Sequence, residues 1–119
     1  VAEKVTTIWE RVNTALTPLA LPMAASAYIV ASGADIPDTY IVYFVFSIDP
    51  EMHADDEEVL RSEAVQVSIY NRTGNASLPD VIGAMITGGF TFIGGRELDY
   101  DTDTRHFGIA FDFEYLEEL

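Results

Sequence analysis

The sequence predicts an α+β domain, an antiparallel sheet of four to five strands (two hairpins) packed against two helices. Three observations carry this. From His106 to Tyr115 the chain alternates: Phe107, Ile109, Phe111, Phe113 and Tyr115 point one way, and His106, Gly108, Ala110, Asp112 and Glu114 the other. Period two with large apolar residues on one side marks a half-buried antiparallel strand. Two further runs, Tyr40 to Ile48 and Ala64 to Tyr70, have strand length and strand composition. Two stretches, one near the start and one after Ser77, repeat apolar residues at helical spacing.

A chain of 119 residues is one domain, here residues 1–119. At that size about two-thirds of the unfolded surface is buried, so the core needs no staple. There is no cysteine, which excludes a disulfide framework, a thiolate zinc site and a cysteine nucleophile. The longest apolar run, Tyr40 to Phe46, is strand-sized and far too short to span a membrane. No basic segment precedes an apolar one, so no signal peptide is expected, and Val1 is what removal of an initiator methionine would leave. Twenty acidic residues face six basic ones, for a net charge of -14, and Lys4 is the only lysine. Such a surface repels nucleic acid and anionic membrane, because phosphate binding needs clustered cations. A DNA mimic, a surface past which DNA slides and adaptation to high salt all fit this charge. Plain solubility is favoured over each.

Val5, Ile8, Trp9, Val12 and Leu16 form one stripe on a helix of about four turns, with Trp9 as a core anchor. Glu3 suits the dipole at its start, and Pro18 ends it. Leu19 to Ala25 reads as a connector, Ser26 to Ala31 as a short strand, and Gly33 to Asp38 as a turn-rich linker. Thr39 to Ile48 is a strand with two apolar faces, which calls for cover by helices on both sides or by a neighbouring subunit. Asp49 to Leu60 reads as a long acidic loop, extended and solvated. In the return strand Val65, Val67 and Ile69 face the core, and Gln66 and Ser68 face out. Asn71 to Ala76 is a turn whose two glycosylation-like triplets are chance matches. Ser77 is the expected N-cap of the second helix, with Asp80 completing a capping-box-like pattern and Pro79 in the first turn. Leu78, Val81, Ile82, Met85 and Ile86 give its apolar face; Gly88 and Gly89 end it, one in left-handed geometry.

Motifs for chemistry are weak. His53 with Asp55, Asp56, Glu57 and Glu58 suggests a divalent-metal site, but adjacent acids on a loop fix no geometry and one histidine is few for zinc. Asp99, Asp101 and Asp103 begin like a calcium loop, yet Thr104 stands at the glycine position and Ala110 at the bidentate glutamate position. The stretch reads instead as a hairpin tip whose Asp and Thr side chains cap local backbone groups. Gly88-Gly89 follows a helix and lacks the Gly-Lys-Ser/Thr triplet of a phosphate loop. His106, beside Arg105, is expected on the surface. No nucleophile elbow or paired-histidine motif occurs, so no enzyme, cofactor or metal is expected.

Two stretches resemble the tail-completion, or tail-terminator, family of long-tailed bacteriophages and related viruses. One is Pro37-Asp38-Thr39-Tyr40-Ile41-Val42-Tyr43-Phe44, then Ser47, Pro50-Glu51 and the return strand Val65-Gln66-Val67-Ser68-Ile69-Tyr70. The other is Arg96 to Phe107, closing on Phe111-Asp112-Phe113. The long acidic first loop and the scarcity of lysine depart from the family pattern. The resemblance implies a non-enzymatic ring, usually of six subunits, at the tail–neck junction of the virion. That ring is made in the host cytoplasm, caps the tail tube and meets the head–tail connector, and DNA passes through it without specific binding. Subunit or partner contacts are expected at Asp49, Glu51, Met52, His53, Asp55, Asp56, Glu57, Glu58, Tyr100 and Arg105. A head–tail connector on the portal side and a free acidic protein-binding module are the alternatives.

Overall fold

A computed structural model describes residues 7–27, 35–54 and 57–118, with backbone alone for 51–54 and 57–59. Helix α1 spans Ile8–Leu16 and runs into a 3-10 turn at Thr17–Leu19. Strands β1 (Met23–Ala25), β2 (Tyr40–Ala54) and β3 (Glu57–Asn71) follow, then helix α2 (Val81–Thr87), β4 (Thr91–Asp101) and β5 (His106–Glu118). The fold is α+β. The five strands lie in the order β1-β2-β3-β5-β4, antiparallel except for β1, which runs parallel to β2.

Thr7 caps α1 by accepting the N–H of Glu10, the local bond that satisfies a first-turn donor. Ile8, Val12 and Leu16 are buried as their spacing requires, whereas Val5 lies outside the described residues. Trp9 is not a core anchor; it is 42% exposed. The inward position beside α2 belongs to Ala15, because the helices meet there closely. A Cβ on Gly88 would stand 2.6 Å from the Ala15 Cβ, and no indole fits such an approach.

The short strand falls at Met23–Ala25, within the expected connector and upstream of the segment expected to hold it; Tyr28 to Ala31 lie outside the described residues. The excursion from Asp49 to Leu60 is not a loop. Strands β2 and β3 continue through it, pairing Asp49 with Ser62, Pro50 with Arg61 and Ala54 with Glu57. Backbone pairing over the added length outweighs the mutual repulsion of the acids. Pro50 is tolerated because β1 pairs only with Ile41, Val42 and Tyr43, so β2 is an edge at that point. A register shift at Phe46 marks a bulge.

Helix α2 begins one turn later than expected. Asp80, not Ser77, is its N-cap and accepts the Gly83 N–H at 2.9 Å. Pro79 precedes the cap. At the other end Gly89 has φ +94°, the left-handed geometry that turns the chain into β4. Val81 and Met85 are buried, while Ile86 is exposed.

Both helices pack on one face of the sheet. Ile41, Tyr43, Val65, Val67, Ile69 and Phe113 rise from that face to meet Ile8, Val12, Leu16, Val81 and Met85. Each such side chain contributes about 1.5–3 kcal/mol on burial. The alternation of β5 holds over its second half, with Phe113 fully buried and Ile109, Phe111 and Tyr115 packed at the core's margin. At its start Phe107 is 37% exposed while His106 and Ala110 on the other side are buried, because the segment before β2 lies over His106.

Candidate interaction surfaces

The second face of the sheet carries the even-numbered residues of β3 and β5 and their partners. One row runs Phe44, Gln66, Asp112, Gly94; the next runs Val42, Ser68, Ala110, Arg96. Beyond them lie Ser47, Ala64, Glu114 and Thr91, then Asp49, Ser62 and Leu116. At its His106 end the segment before β2 lies over this face; around Phe44, Phe46 and Leu116 the face is open. Phe44 is 38% exposed, Phe46 53% and Leu116 52%, and the two phenyl rings meet edge-on at 6.3 Å. Beside the central Gln66 and Asp112, Ser68 and Ala110 are buried. Gln66 Nε2 donates to Asp112 Oδ1 at 3.1 Å, and Arg96 Nη1 stands 3.6 Å from the other carboxylate oxygen. Asp49, Glu114 and Glu118 are exposed.

The sheet's two ends differ. At one it tapers: β5 last pairs Glu118 with Leu60, so His53 with Glu58 and Ala54 with Glu57 form a two-stranded tip. The other end is the β4–β5 turn. There the Asp101 carboxylate accepts the N–H of Asp103 at 2.9 Å and of Thr104 at 3.2 Å, and Arg105 takes φ 63°. Those two N–H groups, Thr104 first, hold the Asp101 carboxyl below its ordinary value. Asp101 therefore caps local backbone as expected.

These ends divide the expected contact residues. Asp49, Glu51, Met52, His53, Glu57 and Glu58 fall on the tapered end, and Asp55 and Asp56 lie outside the described residues. Tyr100, packed on Phe107 with ring centroids 4.7 Å apart, and Arg105 fall at the opposite end. Leu60 to Asn71 along β3 separates the two groups by roughly 35 Å at the usual strand rise. They do not form one site.

His106 is not a surface residue; it is 1% exposed. The segment before β2 folds over it, so that Nε2 donates to the Pro37 carbonyl at 2.9 Å and Tyr40 stands edge-on at 5.1 Å. Nδ1 is buried without a partner. Arg72 fastens the same segment by donating to Asp38 at 2.7 Å and to the Thr104 carbonyl at 3.1 Å. Sequence reasoning also missed a buried ionic cluster under α1. Arg11 pairs with Glu117 and lies 4.8 Å over the Tyr115 ring, and Glu63, 4% exposed, sits beside them. Burial first, then the charge and hydrogen bond of Glu117, raise the Glu63 carboxyl. The signal was present: Glu63 shares the alternation of Val65, Val67 and Ile69, which aims it at the helix side.

No family model and no curated protein matches the chain. No helix among the described residues is long and apolar enough to cross a membrane.

Proposed function

We propose that the chain is a structural subunit that assembles into a ring on the finished tail tube of a long-tailed virus and joins it to the head. It acts by assembly, without chemistry. The observation that carries the reading is the division of the expected contact residues between two opposite ends of one sheet. A subunit held between a tube and a connector needs two separated contact surfaces, and a ring adds heterologous side contacts. Strand β4, with no neighbour on its outer side among the described residues, offers a lateral edge. The two family-like stretches fall on paired strands, the first on β2 and β3 and the second on β4 and β5. A net charge of -14 suits a channel wall that passing DNA does not stick to.

Electron microscopy of particles made without this gene tests the reading. Full heads beside detached, overlong or ragged tails are expected. Normal-length free tails beside heads that leak DNA would assign the chain to the head-side connector instead. Normal virions would overturn both.

A further inference from the structure

We propose that the helix-free face of the sheet is a docking surface for an amphipathic α-helix of a partner protein, one whose apolar stripe is flanked by lysine and arginine. This holds whichever assembly the chain belongs to.

The face carries exposed apolar side chains set among polar and acidic ones. Phe44 and Phe46 stand side by side on β2, with Leu116 two strands away on β5. The opposite face of the same sheet is sealed by α1 and α2. A strand cannot serve here, because a strand adds through backbone groups at an edge, whereas these residues point off the plane of the sheet. The dimensions suit one helix. From β2 to β4 is three strand spacings, about 14 Å, against about 10–12 Å for a helix with its side chains. Ala64, Ser68, Ala110 and Gly94 are low positions around the hydrogen-bonded Gln66–Asp112 pair, with the phenyl rings of β2 on one side and Arg96 on the other.

Charge selects the occupant. Asp49, Glu114 and Glu118 are exposed on this face, and its one arginine, Arg96, is turned toward Asp112. A second copy docked face to face would set these carboxylates against its own. Like charges brought together at an interface cost affinity. A helix with cations beside its apolar stripe instead meets carboxylates where its lysines and arginines lie.

The test titrates the full chain with a helical peptide of about 18 residues made of leucine and lysine at amphipathic spacing, read by NMR. A scrambled peptide of the same composition and a leucine–glutamate peptide are the comparisons. Shifts confined to Val42, Phe44, Phe46, Ala64, Ala110 and Leu116 are expected. The double substitution F46S/L116S, at two exposed positions, is expected to weaken binding about tenfold or more while leaving the remaining spectrum in place. Glu114→Lys should weaken it most at low salt. Absence of binding to about 1 mM, shifts on another surface, or equal affinity of the scrambled peptide or of F46S/L116S would overturn the proposal. So would a self-association of the free chain that F46S/L116S abolishes, which would make a second copy the occupant.

Discussion

The Arg11 guanidinium grips Glu117 with two parallel bonds, Nε to one carboxylate oxygen at 2.9 Å and Nη2 to the other at 2.7 Å. One partner is on the first helix and the other is near the end of the last strand, so this pair closes the chain on itself across 106 residues. The side chains are 29% and 12% exposed, and the hydrogen bond from Arg11 to Glu117 raises the guanidinium's own affinity for its proton. Replacing Arg11 with Met keeps the stem but removes the fork, leaving Glu117 beside Glu63 without its cation. The expected cost is about 2 kcal/mol, allowing for partial solvent exposure. A lowered urea midpoint with unchanged slope checks it.

Glu63 sets a pH dependence of opposite sign to that of a paired carboxylate. Its folded value is raised above the ordinary 4.5, so the folded state binds its proton more tightly than the unfolded state does. Its contribution is fully present below that ordinary value and is lost as pH rises through the raised one. Glu63→Gln keeps a donor for Glu117 and removes the titration. The variant should match the parent chain in acid and exceed it in stability at neutral pH. Parallel denaturant curves from pH 4 to pH 8 decide this, and a constant difference across that range would refute it.

Asp101 titrates in the other direction. Its carboxyl is held low by the Thr104 and Asp103 N–H groups, so the order it lends the turn is present above the usual carboxylate range and lost as pH falls through its lowered value. Protection of the Asp103 and Thr104 amides, measured relative to the intrinsic exchange rate at each pH, should fall in acid. In Asp101→Ala it should be low at every pH.

The contact between α1 and α2 depends on Gly88 lacking a side chain. Gly88→Ala would press a methyl against Ala15, at a cost of about 1–3 kcal/mol for forcing the helices apart. Ala15→Gly alone costs about 1 kcal/mol in helix propensity. In the double variant the two losses should fall short of their sum by about 1 kcal/mol or more, the mark of direct coupling.

Asn71 organises the turn after β3 from a buried position, 1% exposed. It accepts the N–H of Gly74 at 2.6 Å and of Thr73 at 3.1 Å, and donates to Asn75. Asn71→Ala should cost about 2–3 kcal/mol, because two backbone donors lose their acceptor. Asn71→Asp keeps that acceptor and should lose less. Thermal unfolding of the two variants gives the ranking.

The interior of the sheet was legible because strand alternation is local. Val65, Val67 and Ile69 on β3 and Phe113 on β5 are buried where their parity put them. The capping box was misread since Ser77 and Asp80 both satisfy the same short pattern, and only the path of the chain into α2 chooses between them. The acidic stretch after Ile48 was misread for a related reason. Charge density argues for a solvated loop, but the partner strand supplies backbone bonds that no window of sequence contains.

By itself the sequence determined the class of fold, the two helices, the hairpins and the core-facing side of β3, since these follow from periodicity within a few residues of each position. The tertiary structure alone decided that Trp9 lies outward, that His106 lies inward, that Glu63 on the inward side of β3 is buried as part of an ion cluster, and that Tyr100 and Arg105 stand at the far end of the sheet from Asp49. Those outcomes depend on which distant segments meet. Helix α2 comes close to Ala15, the Pro37 segment covers His106, and α1 closes over Glu63. Burial of a polar or outsized side chain is settled by the shape and hydrogen bonds of the neighbour that covers it.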